Sequence, residues 1–141
     1  MKSLHRAPES VLHDESAPCR VLVVESDRLV RTLIVEWLQL SGHEAVCVTD
    51  PAAGTNAAPA GNFPVDLILI DLPAPLSAAH RIIEQIRPSR PVTPIVAMSA
   101  DVTASGRAAH EALARELGVA ALLVKPFSRH ALLAAINRSR T

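Results

Sequence analysis

Four short apolar runs, each closed by one polar residue, constrain this chain more than any other feature. They are Val21-Leu22-Val23-Val24 before Glu25, Leu67-Ile68-Leu69-Ile70 before Asp71, Ile95-Val96-Ala97-Met98 before Ser99, and Leu122-Leu123-Val124 before Lys125. Unbroken runs of this length, rich in Val, Ile and Leu, read as strands buried on both faces of a parallel sheet. In open sheets of that kind the ligand crevice lies outside the carboxyl ends of the strands. If all four run parallel, the carboxylates of Glu25 and Asp71, the Ser99 hydroxyl and the Lys125 ammonium converge at one edge. Packing alone does not explain that set.

The segments between the runs alternate in type. Asp27 is placed to cap a helix over residues 28–41, with Leu29, Leu33, Trp37 and Leu40 on one inward stripe and Gly42 as the stop. A second strand is expected at 45–49. Residues 50–61 contain alanines interrupted by Gly54, Pro59 and Gly61, which predicts a short or irregular helix at best. A strand at 66–70 leads through a Pro73/Pro75 loop to a helix at 77–87, which carries Ile82, Ile83 and Ile86 and is stopped by Pro88. Then follow a strand at 94–98, an alanine-rich helix at 103–117 ending at Gly118, and a strand at 121–124. Ser128 caps a last helix with Leu132, Leu133 and Ile136 inward. Five such β/α units predict an α/β fold: a doubly wound five-stranded parallel sheet with helices on both faces. At 141 residues one domain is expected, over residues 20–141, with residues 1–19 as a flexible polar tail.

Composition removes several function classes. Fourteen basic and fourteen acidic residues leave a formal net charge of zero, so no nucleic-acid or anionic-membrane surface is indicated. No apolar stretch approaches the roughly 20 residues needed to span a bilayer, and the first 20 residues lack the apolar core of a signal peptide. A cytoplasmic protein is expected. Cys19 and Cys47 do not have metal-ligand spacing; Cys47, inside an apolar strand, is expected to be buried and Cys19 partly exposed. The six histidines form no i, i+4 pair, so a zinc site is not indicated, and His80 is expected to be exposed. Positive charge is carried by twelve arginines and only two lysines, Lys2 and Lys125. Lysine offers a compact ammonium suited to a single phosphoryl oxygen, where arginine offers a two-pronged clamp.

Asp71 closes the most hydrophobic strand. A carboxylate there can attack a phosphoryl group and become an acyl phosphate. Such a transfer requires the charge on the phosphoryl oxygens to be neutralised as it moves. A divalent cation held by carboxylates and backbone carbonyls does part of this, and an ammonium and a hydroxyl can hold the remaining oxygens.

The ordered set Glu25-Ser26-Asp27, Asp71 with Pro75 four residues on, Ser99-Ala100 and Lys125-Pro126-Phe127 resembles the receiver domain of bacterial two-component response regulators. The resemblance covers residues 20–138. It implies a flavodoxin-like sheet of strand order 2-1-3-4-5, an order taken from the family. It implies that Asp71 is the phosphoacceptor, loaded by a sensor histidine kinase or phosphotransfer protein, with Lys125 and Ser99 contacting the phosphoryl group. Magnesium would be held by Glu25, Asp71 and the Pro73 backbone carbonyl, with Ser26 as a further oxygen, and Ser99 and Leu122 would form the switch. The Lys125–Pro126 peptide is often cis in this family. A stand-alone receiver is expected, not an enzyme with substrates of its own. It would signal to a downstream protein through the face formed by the helix at 103–117, the strand at 121–124 and the last helix, with a homodimer as a further option.

Three departures from the family pattern bear on that expectation. The usual second acid after strand 1 is replaced by Ser26, with Asp27 one position late; a neutral oxygen weakens affinity for a hard dication. Leu122 stands where an aromatic switch residue is usual, and the chain has no Tyr. Ser99 to Lys125 is longer than typical by roughly one helical turn, with the added length expected near residues 101–108. The alternative is a pseudo-receiver, the same fold used as a phosphorylation-independent interaction module with weakened magnesium binding. A flavodoxin-like cofactor enzyme fits poorly, because the loop after strand 1 lacks phosphate-cradling glycines.

Overall fold

The computed structural model describes residues 17–50, 64–103 and 105–140. Its five strands are β1 (Arg20–Val24), β2 (Glu44–Val48), β3 (Leu67–Asp71), β4 (Ile95–Ser99) and β5 (Ala121–Val124). They form one parallel sheet of order β2-β1-β3-β4-β5. The doubly wound sheet expected from the four apolar runs is thus present. Residues 1–16 of the expected tail, and all but the first residue of the segment 50–61 for which a short or irregular helix is expected, lie outside the described residues.

Side chains alternate across a strand with period two, and here both faces of the sheet are apolar. Val21, Val23, Leu67, Leu69, Val96 and Met98 face one way, under helices α1 (Arg28–Leu40) and α4 (Arg129–Ser139). Leu22, Val24, Ile68, Ile70, Ile95 and Ala97 face the other way, under α2 (Ala79–Ile86) and α3 (Arg107–Leu117). Helices on opposite faces leave the strand ends uncovered, which is where the polar terminators sit.

The helix boundaries follow local chemistry. Asp27 caps α1, its Oδ1 accepting the Val30 N–H at 3.0 Å, and Ser128 caps α4 by accepting the Ala131 N–H at 3.0 Å. Gly118 closes α3 in the left-handed region at φ +78°, a conformation that disfavours any side chain with a Cβ. Gly106 sits at φ +98°, which a right-handed helix cannot accommodate. That is why α3 starts at Arg107 and not at 103 as the alanine pattern predicts.

Three expectations about burial are corrected. On α1 the inward face is Val30, Ile34, Trp37 and Leu38, whereas Leu29 is 81% exposed and Leu33 and Leu40 are also exposed. The helix is rotated from the predicted stripe, because α4 and the sheet press on it together. Trp37 keeps its place, tilted against Phe127 with ring centroids 6.4 Å apart. On α4, Ala135 is buried beside Leu132 and Ile136, while Leu133 is only half-buried. The two cysteines exchange roles: Cys19 is buried and Cys47, on the edge strand β2, is exposed. An edge strand has a neighbour on one side only, so its apolar composition overstates its burial.

Candidate functional site

Every polar terminator of the apolar runs lies at the carboxyl edge of the sheet. Asp71 is the last residue of β3 and Ser99 the last of β4, while Glu25 and Lys125 each follow a strand directly. Register brings them side by side: Asp71 pairs with Met98, and Ser99 with Val124. Adjacent strands lie about 4.8 Å apart, so terminators on β1, β3 and β5 reach a common point.

That point is the Lys125 ammonium. Its Nζ lies 2.8 Å from Asp71 Oδ1 and 2.9 Å from Glu25 Oε1. The Glu25 side chain is 1% exposed, and its second oxygen accepts the Asp27 N–H at 3.1 Å. Glu25 therefore spends one oxygen on Lys125 and the other on the turn into α1. Arg31 reinforces that turn by donating to the Glu25 and Ser26 carbonyls at 3.0 and 3.3 Å. Burial pulls the Lys125 ammonium down, but the hydrogen bonds and charges of Asp71 and Glu25 outweigh it, and the net shift is above the ordinary lysine value. The group is a fixed cation between two carboxylates.

Ser99 is fully buried; its carbonyl accepts the Lys125 N–H at 2.9 Å, and its Oγ accepts the Asp101 N–H at 3.0 Å. Ser26 is exposed beside Glu25. Asp27 is accounted for as the cap of α1. Pro73 lies exposed in the loop after Asp71, between Leu72 and the cis peptide Ala74–Pro75; Lys125–Pro126 is also cis. Leu122 is half-buried and lines an open cavity of about 650 Å³ between α3, β5 and α4, with Arg107, Arg115 and Arg138 on its walls. His80 is exposed on α2.

The donor set bears on magnesium. Among the described residues no three His, Cys, Asp or Glu side chains cluster as a metal site. Lys125 occupies one oxygen of each carboxylate, and the second Glu25 oxygen is committed to a backbone N–H. The remaining oxygens are Asp71 Oδ2, the Pro73 carbonyl and the Ser26 hydroxyl. All are hard donors of the kind magnesium prefers, so the set fits the ion, with only one carboxylate oxygen outside the ion-pair network.

The family model for the response regulator receiver domain matches residues 21–137. The chain is 34% identical over 119 residues to the response regulator protein FleR of Pseudomonas aeruginosa, a match that covers 84% of this chain and 24% of FleR. It is 31% identical over 107 residues to the Regulator of RpoS of Escherichia coli, covering 76% of this chain and 30% of that protein. The chain thus spans less than a third of the length of these two curated relatives. Its backbone is similar to chemotaxis response regulator CheY4 of Vibrio cholerae, with TM-score 0.69 at 22% identity, over 87% of this chain and 99% of that one. It is also similar to the receiver domain of sensor histidine kinase PA1611 from P. aeruginosa, with TM-score 0.70 at 24% identity, over 88% of this chain and 98% of that one. That structure has a magnesium ion coordinated in its active site cleft.

The chain belongs to the response regulator receiver domain family. The fold, the strand order and membership in two-component signalling agree with the sequence reading. No helix among the described residues is long and apolar enough to cross a membrane. Sequence reasoning missed two site residues, Arg31 and Asp101. Both act through backbone groups of the site loops, and no motif marks such contacts.

Proposed function

We propose that this receiver domain is a phosphorylation switch in which Asp71 accepts a phosphoryl group from a phosphohistidine on a sensor kinase or phosphotransfer protein. The observation that carries the reading is the shared Lys125 ammonium, 2.8 Å from Asp71 and 2.9 Å from Glu25. One Asp71 oxygen is held by Lys125, which leaves Oδ2 as the nucleophile. It attacks phosphorus; the O–P bond forms as the N–P bond to the donor imidazole breaks, and the imidazole carries away the electron pair and takes a proton. Lys125 then follows the charge from the carboxylate to a phosphoryl oxygen, while the Ser99 hydroxyl donates to another. The Pro73 carbonyl and Ser26, with the Asp71 Oδ1 and Glu25 Oε1 oxygens that Lys125 frees as it moves to the phosphoryl group, would hold magnesium, which supplies charge neutralisation at the phosphoryl oxygens when bound. Losing an acid at Ser26 reduces the affinity.

Output passes to a downstream protein through α3, β5 and α4, where Leu122 lines the Arg-walled cavity. Phosphorylation biases a two-state equilibrium at Ser99 and the loop after it. Incubating the full chain with acetyl phosphate and millimolar magnesium is expected to add one phosphoryl group by intact mass, absent in Asp71→Asn. No adduct on the wild type sinks the switch.

A second reading, a phosphorylation-independent interaction module, is favoured by Ser26 and by the engagement of both carboxylates with Lys125. If beryllofluoride and magnesium bind Ser26→Asp but not the wild type, this second reading holds.

A further inference from the structure

One side chain, Asp101, fastens the loop after Asp71 to the loop after Ser99. Its Oδ2 accepts the backbone N–H of Leu76 at 2.8 Å, and its own backbone N–H donates to Ser99 Oγ at 3.0 Å. Leu76 opens the 3-10 turn Leu76–Ala78 that leads directly into α2. The first N–H groups of a helix have no partner within it. Pro75, at the cap position, makes no side-chain hydrogen bond, so the acceptor comes from 25 positions along the chain. A carboxylate there also meets the positive end of the backbone dipoles.

The second contact sets the chemistry of Ser99. A hydroxyl has one proton and two acceptor lone pairs. With one lone pair taken by the Asp101 N–H, the Ser99 proton points elsewhere and stays available for donation. Ser99 is fully buried, so its orientation is decided by such contacts and not by solvent.

We propose that Asp101 is a positioning residue for the phosphoryl group on Asp71. It acts through Ser99, by fastening the backbone that contacts the Ser99 hydroxyl to the turn that opens α2. This rests on the phosphoacceptor reading of Asp71. Asp101 is exposed, so removing its carboxylate opens no cavity; it releases Leu76 and frees the backbone whose N–H orients Ser99. The four strand-end residues stay in place, but the loops that follow Asp71 and Ser99 are no longer fastened to each other.

The test is calorimetric titration of the full chain with beryllofluoride and magnesium, a stable mimic of the acyl phosphate. Asp101→Ala is expected to weaken binding about tenfold, the scale of one charge-assisted hydrogen bond. Asp101→Asn keeps a carbonyl oxygen for the Leu76 N–H and is expected to restore most of the affinity. In a Ser99→Ala background, Asp101→Ala is expected to cost nothing further, because a residue acting through Ser99 then has nothing to position. Wild-type affinity in Asp101→Ala, or additive losses in the double variant, overturns the proposal. Failure of the wild type to bind the probe overturns the phosphoacceptor reading and this proposal with it. That outcome is distinct because it appears before any variant is made.

Discussion

Glu25 and Lys125 meet at 2.9 Å although 100 residues separate them in the chain. The Glu25 side chain is almost wholly shielded from water, and that ammonium is its ion-pair partner. Removing one partner of a buried ion pair leaves an uncompensated charge. Lys125→Met is expected to lower the stability of the ligand-free domain by about 2–3 kcal/mol, read as a lower urea midpoint. Adding Glu25→Gln should recover part of the loss. An unchanged midpoint in Lys125→Met would show that the pairing of Lys125 with Glu25 contributes nothing to stability. Because the Lys125 value is raised, the stability it confers is complete below about pH 10.5 and disappears as pH climbs through its higher folded value.

Ser26 lies exposed next to Glu25, where an added carboxylate would contribute an oxygen that Lys125 does not already occupy. Affinity for a hard dication rises with the charge of the donor set. Ser26→Asp is therefore expected to tighten magnesium binding on the order of tenfold, measured by titration calorimetry. Equal affinities in the two proteins would mean that Ser26 stands outside the donor set.

His43 is buried, and its Nδ1 accepts the Cys19 N–H at 3.1 Å. Burial and then the charge of Arg140 hold its pKa below the ordinary 6.5. The unfolded chain therefore takes up this proton first as pH falls. Stability from the neutral imidazole is complete above about pH 6.5 and drains away as pH drops toward the folded value. Urea midpoints measured from pH 7.5 to 5.5 should fall in the wild type and flatten in His43→Gln; parallel slopes would remove His43 as the cause.

The orientation of α1 gives a comparison within one helix. Ile34 is 1% exposed between the sheet and α4, whereas Leu29 is 81% exposed. Ile34→Ala should cost about 3 kcal/mol through lost burial and a residual cavity. Leu29→Ala should stay within about 0.5 kcal/mol. Chemical denaturation distinguishes them, and equal costs would contradict the helix rotation.

The strands and the polar edge were legible in the sequence because the apolar runs of β1, β3 and β4 are buried on both faces, so composition alone marks both the strand and its end. Asp27, Ser128, Pro88 and Gly118 likewise act on their immediate neighbours, and they bounded helices correctly. Gly106 carried a usable signal that the alanines around it obscured.

What the sequence determined by itself was the parallel sheet, the order in which its elements come along the chain, and the convergence of Glu25, Asp71, Ser99 and Lys125 on one rim. Those follow from hydrophobic runs and from short-range capping, which act over a few residues. Tertiary structure decided the rest: which face of α1 turns inward, which cysteine is buried, that one ammonium serves two carboxylates, and that Asp101 reaches Leu76. Each depends on packing or hydrogen bonding between segments 20 to 100 residues apart, and no local pattern encodes the rotation of a helix against neighbours it has not yet met.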